Sequence, residues 1–292
     1  VTGDALPGGV GGRVPFGARL AAAAADHGPL CVGVDPHPGL LLEWGLTDDA
    51  VGLRTFARIV LDAVGGRVAA VKPQSALFER HGSAGVAVLE EVVAAGRETG
   101  TLVVVDAKRG DIGSTMAGYA DAYLRDGSPL AGDALTVSPY LGFGSLDPAV
   151  DQALATGRGL FVLCLTSNKE GHEVQHARTD DGVTVAAAVA ARAAALNAGE
   201  DPMGSVGLVV GATVGDAAER AGVDLVHVNG PLLAPGVGAQ GAGPRELTRV
   251  FGSARAQVLA SSSRGVLAAG PDVASLRAAA RRAADEAAAA LS

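Results

Sequence analysis

Short apolar runs rich in Val and Leu recur along this chain, each followed by a stretch with helical spacing, and that repeat constrains the fold more than any other feature. The clear runs are Leu30 to Val34, Val68 to Val71, Thr101 to Val105, Ala134 to Val137, Leu160 to Leu165, Val206 to Val210 and Val258 to Ala260. They are continuous rather than alternating, as parallel strands covered on both faces must be. Helical stretches lie between them, among them Ser83 to Glu98, Thr115 to Arg125, Val183 to Asn197 and Pro271 to Leu291. Gly65, Gly100, Gly127, Gly157 and Gly199 follow such stretches, where a left-handed C-terminal cap is wanted. An eighth strand is either Asp224 to Val228 or Pro231 to Ala234, and the second runs directly into a glycine turn. Eight βα units with no shift in composition and no Pro/Ser linker predict an α/β fold, one (β/α)8 TIM barrel over residues 1–292, in preference to a doubly wound open sheet. The widest gap between runs holds the polar segment Asn168 to Gly182, which predicts an elaborated loop after strand 5. Phe16 to Asp26 predicts an extra N-terminal helix which, like the Ala-rich stretch Ala278 to Ala290, is expected to pack on the outside.

Composition narrows the function classes. With 48% apolar residues but only 3% aromatics, the core is built from small aliphatic side chains, and disorder is excluded. The net charge is −8 and no basic run occurs, so nucleic acid is not an expected partner. Cys31 and Cys164 lie inside apolar runs and read as packing residues, with neither a disulfide framework nor a zinc site implied. No stretch of 18 or more apolar residues occurs and the N-terminal stretch lacks a secretory pattern, so a cytoplasmic protein with no membrane partner is expected.

In a parallel barrel the site lies at the C-terminal ends of the strands. The residues just past each run are Asp35, Lys72, then Asp106-Ala-Lys108-Arg109-Gly-Asp111, then Ser138, Ser167-Asn168, Thr213, Gln240 and Ser263-Arg264. Asp106 and Lys108 are two apart, and in extended geometry they share one face. A Lys between carboxylates stays protonated and suits an ammonium that stabilises developing negative charge and then delivers a proton. On spacing alone, a structural ion-pair network capping the barrel accounts for these residues equally well.

The run Asp106-Ala-Lys-Arg-Gly-Asp111-Ile112-Gly113-Ser114-Thr115 closely resembles the signature of the orotidine 5'-phosphate decarboxylase family, particularly its longer bacterial subgroup (type 2). Four further segments resemble the same family: Val71-Lys72-Pro73-Gln74, Leu135 to Leu141, Val210 to Thr213, and Pro235 to Gly241. The resemblance runs from Asp35 to Arg264. It implies a metal-free, cofactor-free enzyme that converts orotidine 5'-monophosphate to uridine 5'-monophosphate and carbon dioxide. By position it implies that Lys108 stabilises and protonates the C6 carbanion, that Asp106 sits against the substrate carboxylate, and that Lys72 bonds the ribose and joins the charged array. Asp111 and Thr115 would come from the partner subunit of a homodimer. Asp35 resembles the ribose-binding acid and Ser167 the serine that reads the pyrimidine edge, with Thr166 one residue away as the alternative. Pro235, Gly236 and Gln240 resemble the loop that bridges base and phosphate, and Arg264 the phosphate-binding arginine. Where the family often has Gly-Arg, this chain has Ser263-Arg264.

Two runner-up readings use the same residues. A Mg-dependent phosphosugar enzyme of the hexulose-phosphate synthase kind shares the D-x-K-x-x-D spacing, while a noncatalytic phosphosugar-binding barrel would keep Arg264 and Gln240 without needing Asp106, Lys108 and Asp111 together. His172-Glu-Val-Gln-His176 matches the H-E-x-x-H zinc pattern but lies in a polar segment with no apolar helical face. Gly236-Val-Gly-Ala-Gln-Gly241 fits G-x-G-x-x-G but has Ser261 where a ribose-binding acid should be. Arg109-Gly-Asp111 is explained by the turn that carries the charged residues.

Overall fold

The structure is a computed structural model describing residues 12–237 and 243–292. Eight strands, β1 (Leu30–Val34), β2 (Ala70–Pro73), β3 (Leu102–Arg109), β4 (Ala134–Val137), β5 (Gly159–Leu165), β6 (Val206–Val210), β7 (Leu232–Pro235) and β8 (Val258–Ser262), close into a barrel in chain order. All neighbours are parallel, and Leu30 to Val32 of β1 pair with Ala260 to Ser262 of β8 to complete the ring.

The continuous apolar runs resolve into two faces because side chains alternate along a strand. Cys31, Ala70, Leu102, Val104, Ala134, Phe161, Val209, Leu233 and Leu259 form one buried cluster inside the barrel. Val32, Val71, Val103, Val105, Leu135, Val162, Leu208, Leu232 and Val258 belong to a second cluster, facing the helices. Each such Val or Leu contributes about 1.5–3 kcal/mol when fully buried. Following the inward rows one or two steps further toward the C-terminal ends reaches Asp35, Lys72, Asp106, Thr136, Gly211, Pro235, Ser261 and Ser263, where the interior changes from apolar to polar. The same alternation therefore makes both the core and the site.

At the opposite end, the helix Phe16–His27 closes the barrel floor instead of joining the outer layer as expected. Phe16 and Leu20, one helical turn apart, join the inner cluster, and the Phe16 ring meets Phe161 edge-on with centroids 5.9 Å apart. A Cβ on Gly159 would come within 2.1 Å of the Phe16 ring, so that glycine makes room for the plug. The helix Val273–Leu291 does lie outside, burying Leu276 and an alanine stripe from Ala279 to Ala290.

Of the two candidates for the eighth strand the second is the one that forms, as β7, and one glycine cap lies one residue away from its expected place. That strand is Leu232–Pro235, while Asp224 to Val228 forms a turn in which the Asp224 carboxylate accepts from the His227 N–H at 3.0 Å. Gly65 keeps φ −57°, and the left-handed conformation falls one residue later at Gly66. The segment after β5 carries a short helix, Gly171–Gln175, and an antiparallel bridge between Arg178 and Thr184.

Candidate active site

A cavity of about 340 Å³ opens at the C-terminal ends of the strands, and Asp35, Lys72, Asp106, Lys108, Ser167 and Arg264 all line it. Asp106 is its electrostatic centre. Its Oδ2 accepts from Lys72 Nζ at 2.9 Å, and its Oδ1 accepts from Lys108 Nζ at 2.5 Å and from the Thr136 hydroxyl at 2.8 Å. Lys72 and Asp106 are both buried, whereas the Lys108 side chain is 44% exposed toward the cavity mouth. Burial alone would push the Asp106 carboxyl up, but the ammonium groups of Lys72 and Lys108 outweigh it and bring it down to about 2. Burial likewise works against the Lys72 ammonium, yet Asp35 and Asp106 hold its pKa above the ordinary lysine value. Charges thus alternate in sign through Asp35, Lys72, Asp106 and Lys108.

The way β3 brings Asp106 and Lys108 together departs from plain extended geometry. Lys108 has φ +48°, a left-handed conformation costly for a residue with a side chain, and the β3–β4 register shifts between Val105 and Arg109. The Lys108 N–H donates to Thr136 Oγ1 at 2.9 Å, so the same threonine holds the backbone of Lys108 and the carboxylate of Asp106. Gln74 Nε2 donates to the Asp106 carbonyl at 3.1 Å, extending the β2–β3 pairing. Arg109 is clamped behind this turn by an ion pair with Glu79, a hydrogen bond to Tyr123 Oη at 3.1 Å and the rings of Tyr119 and Tyr123. Thr136, Gln74 and Glu79 did not stand out in the sequence. Thr136 sits inside a strand, and only the Lys-Pro-Gln motif pointed toward Gln74.

Around this centre the remaining candidates fall into three groups. Pro235, Gly236, Ser263 and Arg264 line the same cavity from the ends of β7 and β8, while Gln240 lies outside the described residues. Thr166 and Ser167 both line it, but the Thr166 hydroxyl donates to Asn168 at 2.6 Å and accepts from Gln175 at 2.7 Å. Ser167 makes no side-chain hydrogen bond among the described residues. Asp111 and Thr115 line no part of this chain's cavity, and Asp111 Oδ1 accepts from its neighbour's N–H, that of Ile112, at 2.8 Å. Thr213 is exposed and away from the cavity, and Ser138 lines a second, more apolar cavity of about 660 Å³. That cavity shares Lys108, Leu163, Thr166 and Asn168 with the first and is walled in part by the segment after β5. His172 and His176 stack with centroids 4.4 Å apart, and no group of three or more potential metal ligands occurs among the described residues.

Residues 28–279 match the model of the orotidine 5'-phosphate decarboxylase / HUMPS family. The chain belongs to this family. An orotidine 5'-phosphate decarboxylase of Streptomyces coelicolor is 62% identical over 92% of this chain and 95% of its own length. One from Salinispora arenicola is 63% identical over 91% and 95%. The crystal structure of a Streptomyces avermitilis protein assigned the same activity superposes with a TM-score of 0.93 at 62% identity, covering 96% of this chain and 97% of that one. The Leishmania donovani OMP decarboxylase superposes with a TM-score of 0.73 at 31% identity, covering 95% and 99%.

Proposed function

We propose that this protein converts orotidine 5'-monophosphate to uridine 5'-monophosphate and carbon dioxide, without a cofactor, using Lys108 as the acid that quenches the carbanion. The observation that carries the reading is the array Lys72–Asp106–Lys108 at the mouth of the polar cavity, buried at one end and open at the other. The bond from pyrimidine C6 to the carboxylate carbon breaks, its electron pair stays on C6, and carbon dioxide leaves. The Lys108 ammonium, already in place before the bond breaks, stabilises the developing charge and then transfers a proton to C6. Its exposed position lets solvent return that proton. Asp106 holds Lys108 and faces the substrate carboxylate, and Lys72 balances Asp106 and bonds the ribose. Preorganised charge supplies the main effect, because Thr136 and the neighbouring ammonium leave Asp106 no freedom to relax.

Asp35 takes the ribose, Ser167 reads the pyrimidine edge, and Pro235, Gly236, Gln240, the backbone N–H of Ser263 and the Arg264 side chain take the phosphate. Asp111 and Thr115 reach the site of a second copy, so the active unit is a homodimer. An acidic protein can bind this anionic ligand because Lys72, Lys108 and Arg264 place cations locally. A Mg-dependent phosphosugar reaction fits less well, since both oxygens of Asp106 are already engaged by ammonium and hydroxyl groups.

The test is the loss of orotidine monophosphate absorbance in the presence of EDTA, with wild type and Lys108→Ala. Turnover by wild type that survives EDTA and vanishes in Lys108→Ala is expected; loss on chelation, or full turnover by the variant, counts against the proposal. For the dimer, mixing inactive Lys108→Ala and Asp111→Ala chains should restore activity through hybrids with one intact site. Proven subunit exchange without recovery would sink the shared site.

A further inference from the structure

Asp35 and Ser263 are 228 residues apart in sequence and meet across the β1–β8 closure, where Ser263 Oγ donates to Asp35 Oδ2 at 2.5 Å. Asp35 is 8% exposed, its other oxygen is buried without a partner, and no other side-chain hydrogen bond holds this carboxylate among the described residues. One hydroxyl therefore orients a buried charge that would otherwise have only the Coulomb attraction of Lys72 to settle it. The space around the contact is cleared for it. A Cβ on Gly33 would lie 1.9 Å from Ser263 Oγ, 2.8 Å from Ser263 Cβ and 2.7 Å from Asp35 Oδ2, and Gly33 does not have a positive φ that would call for glycine on its own account. Ser263 has a negative φ of −114°, so its backbone does not call for the glycine that the family often has there. Arg264 follows directly and lines the same cavity.

We propose that Ser263 is a positioning residue whose hydroxyl aims Asp35 at the ribose of the nucleotide whose phosphate the adjoining Arg264 takes, joining the sugar and phosphate ends of the site through one side chain. The proposal rests on the nucleotide reading above and adds to it a coupling that glycine at position 263 could not provide. Without the hydroxyl, the Asp35 carboxylate swings toward Lys72 and presents the wrong geometry to the sugar, while Arg264 is untouched.

The experiment measures binding of UMP by calorimetry and of inorganic phosphate by competition. Ser263→Ala should weaken UMP by about tenfold, as expected for a lost hydrogen bond to a charged group, and leave inorganic phosphate unchanged. In an Asp35→Ala background the same substitution should add nothing, because the two residues act as one unit. Gly33→Ala should weaken UMP, and Gly33→Ala/Ser263→Gly should return to the level of Ser263→Gly alone. If Gly33→Ala does not fold, the Ser263 and Asp35 cycle decides by itself. Equal losses for UMP and inorganic phosphate, additive losses in the cycle, or no loss in Ser263→Ala overturns the coupling. A wild-type chain that neither binds UMP nor consumes orotidine monophosphate sinks the nucleotide reading and this proposal with it, whereas UMP binding with additive losses sinks the coupling alone.

Discussion

Arg109→Met is a perturbation whose size can be worked from the contacts behind the Lys108 turn. The guanidinium is paired with Glu79, donates to Tyr123 Oη at 3.1 Å and to the Ala107 carbonyl at 3.3 Å, and lies 5.5 Å and 5.6 Å from the centroids of the Tyr119 and Tyr123 rings. A hydrogen-bonded charge pair of this kind contributes about 1.5–3 kcal/mol when buried. Here the two side chains are 25% and 35% exposed, which places it at or below the lower end of that range. The ring contacts add about 0.5–1 kcal/mol each. The sum is about 2–3.5 kcal/mol, and at roughly 2–4 °C per kcal/mol for a large domain the melting temperature should fall by about 4–14 °C. The activity effect is separate. Lys108 sits in a left-handed conformation worth roughly 1–2 kcal/mol of strain, which the flanking residues must hold. Released on one side, Lys108 relaxes toward extended geometry and its ammonium drifts from Asp106, so kcat should fall at least about tenfold while KM changes little. Arg109→Lys keeps the charge but not the planar fork or the stacking, and should fall between wild type and Met. Differential scanning fluorimetry and the decarboxylation assay read the two effects independently. A Met variant with wild-type melting temperature and kcat would refute the clamp.

Acid stability should carry the signature of Asp106. Its folded pKa of about 2 lies below the ordinary value of 3.8, so its contribution is complete above about pH 4 and is lost as pH falls toward 2. That contribution is roughly 2 kcal/mol, and acid unfolding of Asp106→Asn should show a correspondingly flatter limb over this window. Cys31 and Cys164 are buried, and burial pushes both thiols up to about 12, so a thiol reagent at pH 8 should label neither until the chain unfolds. Rapid native-state labelling would contradict this packing. Phe16→Ala removes the ring from the barrel floor and should destabilise the protein by about 3–5 kcal/mol in chemical denaturation. A loss under 1 kcal/mol would mean that the helix Phe16–His27 is a dispensable cover.

Much of the barrel was legible because parallel strands buried on both faces leave continuous apolar runs, and β1, β4 and β6 begin and end where those runs do. The ends of β2, β3 and β8 were not, because each strand runs on into polar residues that line the cavity. Lys72, Asp106 and Ser261 are strand by hydrogen bonding and loop by composition. The floor helix was misplaced for a related reason. An Ala-rich helix carries too weak a stripe to reveal which face it buries, and only the spacing of Phe16 and Leu20 hinted at a plug. Within the site, Asp106 and Lys108 stood out by their spacing, but their meeting depends on a bulge and a left-handed lysine that alternation alone does not contain. Thr136, which braces both, looked like any β-branched strand residue. The side-chain role of Ser263 could not be read at all, since it needs the far end of the chain folded against Gly33.

That last contact has a consequence for biosynthesis. Lys72, Asp106 and Lys108 all emerge in the first half of the chain, whereas Ser263 and Arg264 follow Lys108 by 155 and 156 residues. At about 5–20 residues per second, a nascent chain spends roughly 8–30 s with the charged array translated and the other end of the site absent. The seam joins segments separated by 228 positions, a pairing that topology makes slow. A nucleotide therefore finds no complete grip on a chain still being made. Ligand in the cell stabilises only the finished ring, and shifts the balance toward it by mass action once the seam has shut.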